Sequence, residues 1–219
     1  MWYLACHIAM QQSVGLPCPL SMPVPSRPMH ICYTGTMSDP TIRLVEWRPG
    51  EAGWGLRAQL EAIFWETSAR TYPEGPPRES FRERWLGRYM QGGSDVVLLA
   101  LTAEGTLAGY LVGAVENPAE QSRFDDIVYY RQEFASLLQR YPAHLHINLA
   151  ASFRNRGIGA RLIEAFGERA QGTGAKGMHV VTGEGMRNVR FYLRCGFSQQ
   201  GAAFRKGGTI VFLGKSLGN

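Results

Sequence analysis

The run Leu149-Ala150-Ala151-Ser152-Phe153-Arg154-Asn155-Arg156-Gly157-Ile158-Gly159-Ala160 carries the sharpest chemical signal in the sequence. It follows an apolar stretch that reads as a strand. It opens a stripe of Ile158, Leu162, Phe166 and Ala170, the i, i+4 spacing of a helix packed on one face. Glycines at 157 and 159 permit a tight turn and let a ligand approach the backbone. The first-turn amides of a helix lack partners within it, and the helix dipole gives them partial positive charge. Such donors suit a phosphate or diphosphate. A plain tight turn is the competing reading of Gly-x-Gly at a strand-to-helix junction. Two nucleotide readings fail: a dinucleotide fingerprint needs a third glycine where Leu162 stands, and the full G-x-x-x-x-G-K-[ST] pattern is matched nowhere. His144 and His146 share one strand face, yet no third ligand accompanies them, so no metal site is expected.

These residues need a frame. The chain has 219 residues, 45% hydrophobic and 19% charged, enough for one compact domain with a buried core. No apolar run approaches the roughly 20 residues that span a bilayer. The net charge of +5 is spread among alternating acids and bases such as Arg82-Glu83-Arg84. That pattern marks solvated helix faces; a nucleic-acid surface would carry a basic stripe with interleaved aromatics. Residues 1–36 differ from the rest, with five of the twelve prolines, three of the four cysteines and Arg27 as their sole charge. The segment 1–38 is expected to be a disordered or mis-annotated extension, Met37 being a sensible start, and 39–219 the folded domain. Cys195 alone remains in that domain, as suits a reducing, cytoplasmic setting.

Periodicity predicts a strand from Thr41, a helix over Leu56–Arg70, a loop at Tyr72–Pro77, and a second helix over Glu79–Met90 ended by Gly92-Gly93. Strands follow at Val96–Leu101 and Leu107–Val115, then one helix over Phe124–Tyr141. The remainder alternates: strand Ala143–Ala150, helix Gly157–Gln171, strand Gly177–Thr182, helix Met186–Cys195, and strands Gln199–Arg205 and Thr209–Gly214. The expected fold class is α/β: a mixed sheet with helices on both faces.

A second motif, Phe191-Tyr192-Leu193-Arg194-Cys195-Gly196-Phe197, closes the helix after the next strand. Together with Arg154, Gly157 and Gly159 in a Q/R-x-x-G-x-G/A pattern, it resembles the GCN5-related N-acetyltransferase (GNAT) superfamily. The run Tyr141–Asn148 is similar to the acetyltransferase-like domain of O-GlcNAcases. The resemblance implies a mostly antiparallel sheet with one splayed parallel strand pair, and acetyl-CoA as cosubstrate. It implies that the backbone of Leu149 and Ala151 meets the pantetheine amides, that the amides around Arg154, Asn155, Arg156, Gly157, Ile158, Gly159 and Ala160 hold the diphosphate, and that Tyr192 gives a proton to the leaving thiolate. A core aromatic is the bland alternative for Tyr192. The family's usual Asn is absent, Gly185 standing there, and Asn188 takes part of its role; the usual loop Pro is Ala151.

Attack by an amine on a thioester requires a neutral nitrogen and a base within reach. The carboxylate of the O-GlcNAcase-like subgroup is replaced by Asn148, so His146 is the candidate base, with Glu184 second. The acceptor pocket is expected between the first two helices, the Val115–Asp126 segment and the chain's end. Asp125 and Asp126 either attract a cationic amine or begin a helix. Two function classes follow: an acetyl-CoA-dependent N-acetyltransferase of unidentified acceptor, acting as monomer or homodimer, or an acetyl-CoA-binding module without catalysis that serves as sensor or interaction domain. Neither nucleic acid nor membrane is an expected partner.

Overall fold

The computed structural model describes residues 41–48, 54–68, 71–91, 95–205 and 207–218. The expected extension over 1–38 and the helix stop at Gly92-Gly93 lie outside the described residues. The strands are β1 (Arg43–Glu46), β2 (Asp95–Leu101), β3 (Leu107–Ala114), β4 (Ala143–Leu149), β5 (Gly177–Gly183), β6 (Ser198–Arg205) and β7 (Gly208–Ser216). The helices are α1 (Trp54–Thr67), α2 (Pro76–Trp85), α3 (Tyr129–Gln132), α4 (Ala135–Leu138), α5 (Ile158–Gly172) and α6 (Arg187–Arg194).

One seven-stranded sheet runs in the order β1-β2-β3-β4-β5-β7-β6. Every neighbouring pair is antiparallel except β4–β5. Strand β3 is buried at every position, so its unbroken apolar run reflects cover on both sheet faces. Over one face, α1, α2 and the 118–138 segment bury Phe64, Tyr89, Tyr110, Phe124 and Phe134. Over the other, α5 and α6 bury Ile158, Leu162, Phe166 and Tyr192 against Leu111, Leu145 and Val180. Each fully buried side chain of that stripe contributes about 1.5–3 kcal/mol, so α5 is anchored along its length.

Two expected helices are corrected. The second begins at Pro76, inside the predicted loop, because proline fits the first turn where no amide donor is needed. It ends at Trp85, and a 3₁₀ turn over Gly87–Met90 follows. The single helix over Phe124–Tyr141 is instead a chain of short turns including α3 and α4. Of the apolar residues expected to form its stripe, Ile127, Tyr130, Phe134 and Leu138 are buried and Leu137 is half-buried. Phe134 leaves helical geometry (φ −121°, ψ 12°) and packs on Phe212, ring centres 5.2 Å apart. The segment therefore seats its rings on the sheet at the expense of a straight axis.

Candidate functional site

Strands β4 and β5 are paired only at Ala143–Met178 and His144–His179, then diverge. Into the mouth of that splay runs the loop from Ala150 to Gly157. Gly157, the cap of α5, has φ 76°, a left-handed conformation that a side chain strains, and no side chain caps the helix. Asn155 is also left-handed, with φ 62°. The first amide of α5 bonded within this turn is Arg161 N–H, to the Gly157 carbonyl at 3.2 Å. The preceding amides of Ile158, Gly159 and Ala160 belong to the uncapped turn. Gly159 has a packing role as well: a Cβ there would lie 2.9 Å from the Phe191 ring, so the glycine also serves the α5–α6 contact.

Beside the loop lies a groove of about 320 Å³. Ile147, Asn148 and Leu149 form its strand wall, and Arg154, Asn155 and Gly157 to Ala160 its loop wall. Helix α6 supplies Arg187, Asn188, Phe191, Tyr192 and Arg194, with Cys195 at its end. The two sequence motifs thus meet in one groove. Tyr192 is 1% exposed, and Asn188 accepts a hydrogen bond from the Thr182 hydroxyl at 3.0 Å. Ala151 and Arg156 are not among the groove-lining residues. Ala151 N–H donates to Glu66 at 3.0 Å, and Arg156 lies over the Phe153 ring at 5.2 Å. Arg154 Nε donates to the Leu149 carbonyl at 3.0 Å, so this guanidinium braces the loop against the strand end.

A narrow cleft of about 20 Å³, room for about one water, opens on the other side of β4, lined by Phe64, Thr67, Ser68, Phe81, Trp85, His146 and Asn148. Asn148 lines both cavities, so it stands at their junction. Its amide nitrogen donates to the Tyr110 hydroxyl at 2.8 Å. Behind the cleft, the Tyr89 hydroxyl lies 3.1 Å from Nε2 of both His146 and His144. Its single hydrogen links the two tautomers. His146 presents a lone pair at Nδ1 when its Nε2–H donates to Tyr89, which leaves the Tyr89 hydrogen for His144. Burial first, then the Arg88 guanidinium and His179, push His146 down to about 3. The ring is neutral at ordinary pH, and a proton taken there is weakly held.

Glu184 lies exposed in the turn after β5 and lines neither cavity among the described residues. Asp126 is paired with Arg84 at 2.6 Å and Arg88 at 2.9 Å, and Asp125 with Arg131, so both acids serve structural ion pairs. Sequence reasoning missed Tyr89 and Glu66. Tyr89 carries no local signal beyond its four-residue spacing from Trp85 and Phe81, and no local pattern marks Glu66. Among the described residues no cluster of three or more His, Cys, Asp or Glu is placed to hold a metal ion, and no helix is long and apolar enough to cross a membrane.

The sequence matches the family model described as Acetyltransferase (GNAT) family over residues 57–197. Among solved structures, the fold is similar to that of SsHAT, with TM-score 0.60 and 20% identity over 82% of this chain and 100% of that one. It is similar to a GCN5-related N-acetyltransferase from Kribbella flavida, with TM-score 0.55 and 16% identity over 81% of this chain and 98% of that one. A GNAT superfamily phosphinothricin acetyltransferase (Pat) from Sinorhizobium meliloti, solved in complex with AcCoA, has TM-score 0.52 and 20% identity over 81% and 89% of the two chains. No protein of curated function matches the sequence.

Proposed function

We propose, from the premise that this chain belongs to the acetyltransferase (GNAT) family, that it transfers the acetyl group of acetyl-CoA to an amine by direct attack in a ternary complex. The observation that carries this reading is one groove that holds both an uncapped helix N-terminus and a buried tyrosine. The residues fit the cosubstrate. The amides of Ile158, Gly159 and Ala160 are the donors for a diphosphate, which the dipole of α5 also favours. Where β4 leaves β5, the backbone of Leu149 can meet an extended amide-bearing arm, and Asn188 faces the same groove.

Tyr192 then supplies a proton to the departing thiolate sulfur, a phenol's proton being available at neutral pH. The acceptor approaches from the cleft side of β4, where the one-water cleft must widen to admit it, and meets the thioester past Asn148. In the tautomer that leaves Nδ1 unprotonated, His146 accepts the proton of the attacking nitrogen. Its weak hold on that proton makes it a transfer point rather than a store.

The second reading, an acetyl-CoA-binding module of little or no catalysis, is favoured by the same two facts: an amide at Asn148 in place of a carboxylate, and an imidazole kept neutral by burial. The reading further takes residues 39–219 as one cytoplasmic domain, monomeric or homodimeric, independent of nucleic acid and membrane, with the likeness to the O-GlcNAcase acetyltransferase-like domain resting on Tyr141–Asn148. Calorimetry with acetyl-CoA, followed by thiol release in the presence of a panel of amines, tests it. Binding with amine-dependent release supports the enzyme. Binding without release supports the module. No binding removes both.

A further inference from the structure

The last turn of α1 sits between the two cavities. Phe64, Thr67 and Ser68 line the cleft. The turn is locked on itself, because Thr67 Oγ1 donates to the Ile63 carbonyl at 2.8 Å and Ser68 Oγ to the Phe64 carbonyl at 2.9 Å. Glu66, on the same turn, points the other way. Its carboxylate accepts from Ala151 N–H at 3.0 Å and lies 3.4 Å from Arg154 Nη2. Arg154 is bonded in turn to the carbonyl of Leu149, which lines the groove. A connected path therefore runs from the cleft wall through one carboxylate to the start of the diphosphate loop.

We propose that Glu66 is a positioning residue that couples the two cavities, so that filling the groove orders the cleft wall formed by the end of α1. The inference rests on the acetyltransferase reading above. The Ala151 amide bond is the stronger arm: it is the shorter contact, and a carboxylate acceptor strengthens it. The ion pair with Arg154 is the weaker arm, since Glu66 is 44% exposed and water screens it. Alanine at 151 is what makes the first arm possible, because a proline there would have no amide hydrogen. The preceding Ala150 is already extended (ψ 144°), a conformation that tolerates a following proline.

Hydrogen–deuterium exchange with and without coenzyme A, on the full chain, tests this. In the unaltered protein, coenzyme A is expected to slow exchange across 62–68 as well as across the loop. Glu66→Ala and Ala151→Pro are both expected to abolish the slowing at 62–68 while the loop still responds. Glu66→Gln retains an acceptor for the amide and is expected to keep part of it. Coenzyme A affinity in Glu66→Ala should fall by roughly three- to tenfold, the scale of one exposed charge-assisted hydrogen bond. Coenzyme A binding that leaves 62–68 unchanged in the unaltered protein overturns the coupling alone, as does undiminished slowing in both Glu66→Ala and Ala151→Pro. A lack of coenzyme A binding in the unaltered protein overturns the acetyltransferase reading, and the coupling with it.

Discussion

The groove and the cleft lie on opposite sides of β4 and are built by opposite means. The loop end of the groove is made of backbone: an uncapped helix turn, a left-handed glycine, and a strand freed from its neighbour, with α6 closing the other wall. The cleft is made of side chains brought from α1, α2 and β4, with a buried Tyr89 bridging two histidines behind it. Backbone amides offer the same donors whatever the surrounding residues, which suits a diphosphate. Side chains set shape and polarity one at a time, which suits a particular acceptor. The difference teaches that the groove should fail when its geometry is disturbed, and the cleft when its polar atoms lose partners.

The largest effect is expected from Phe166→Ala. This fully buried ring holds α5 on the sheet, so its loss should cost about 3–5 kcal/mol in denaturant unfolding and weaken acetyl-CoA binding through the displaced helix. A loss of stability with unchanged binding would show that the loop holds its own geometry. Next is Tyr192→Phe. Turnover should fall about 10²-fold or more while acetyl-CoA affinity, measured by calorimetry, stays within about threefold. An unchanged rate would make Tyr192 a packing residue.

Acid should strike the cleft side. His146 is held near 3 and His179 near 4, each by burial first. An unfolded histidine titrates near 6.5, so below that pH the unfolded chain binds more protons and stability falls. The loss approaches about 1.4 kcal/mol per pH unit for each ring and continues until the folded value is reached. Unfolding followed between pH 7 and 4.5 should show this slope, and His146→Gln should reduce it. A flat profile would mean that neither ring is sealed from water. The smallest effect is Gly157→Ala. The left-handed conformation costs about 1–2 kcal/mol with a side chain present, visible as a lowered Tm, and the turned amides should bind acetyl-CoA less tightly.

Most of the groove was legible because its determinants are local. The Gly157 turn, the stripe from Ile158 to Ala170 and the Tyr192 motif each lie within a single helix or the turn at its end, where spacing reports geometry directly. The cleft was not legible. Phe64, the Phe81–Trp85 pair and His146 are far apart along the chain, and aromatics at helical spacing look alike whether they face core or cavity. His146 was chosen on strand alternation, but its depressed basicity depends on burial and on Arg88, and its bond to Tyr89 on the same 3₁₀ turn over Gly87–Met90. The Phe124–Tyr141 segment shows the same divide: its apolar period is helical, yet it folds as short turns with Phe134 out of helical geometry against Phe212. The sequence by itself thus determined the alternation of most elements and the glycine turn that opens α5, since both follow from backbone periodicity and glycine. Tertiary structure alone decided which histidine meets which hydroxyl, that Glu66 reaches Ala151, and that Asn148 joins two cavities, because burial and side-chain partnership are properties of packing and not of spacing.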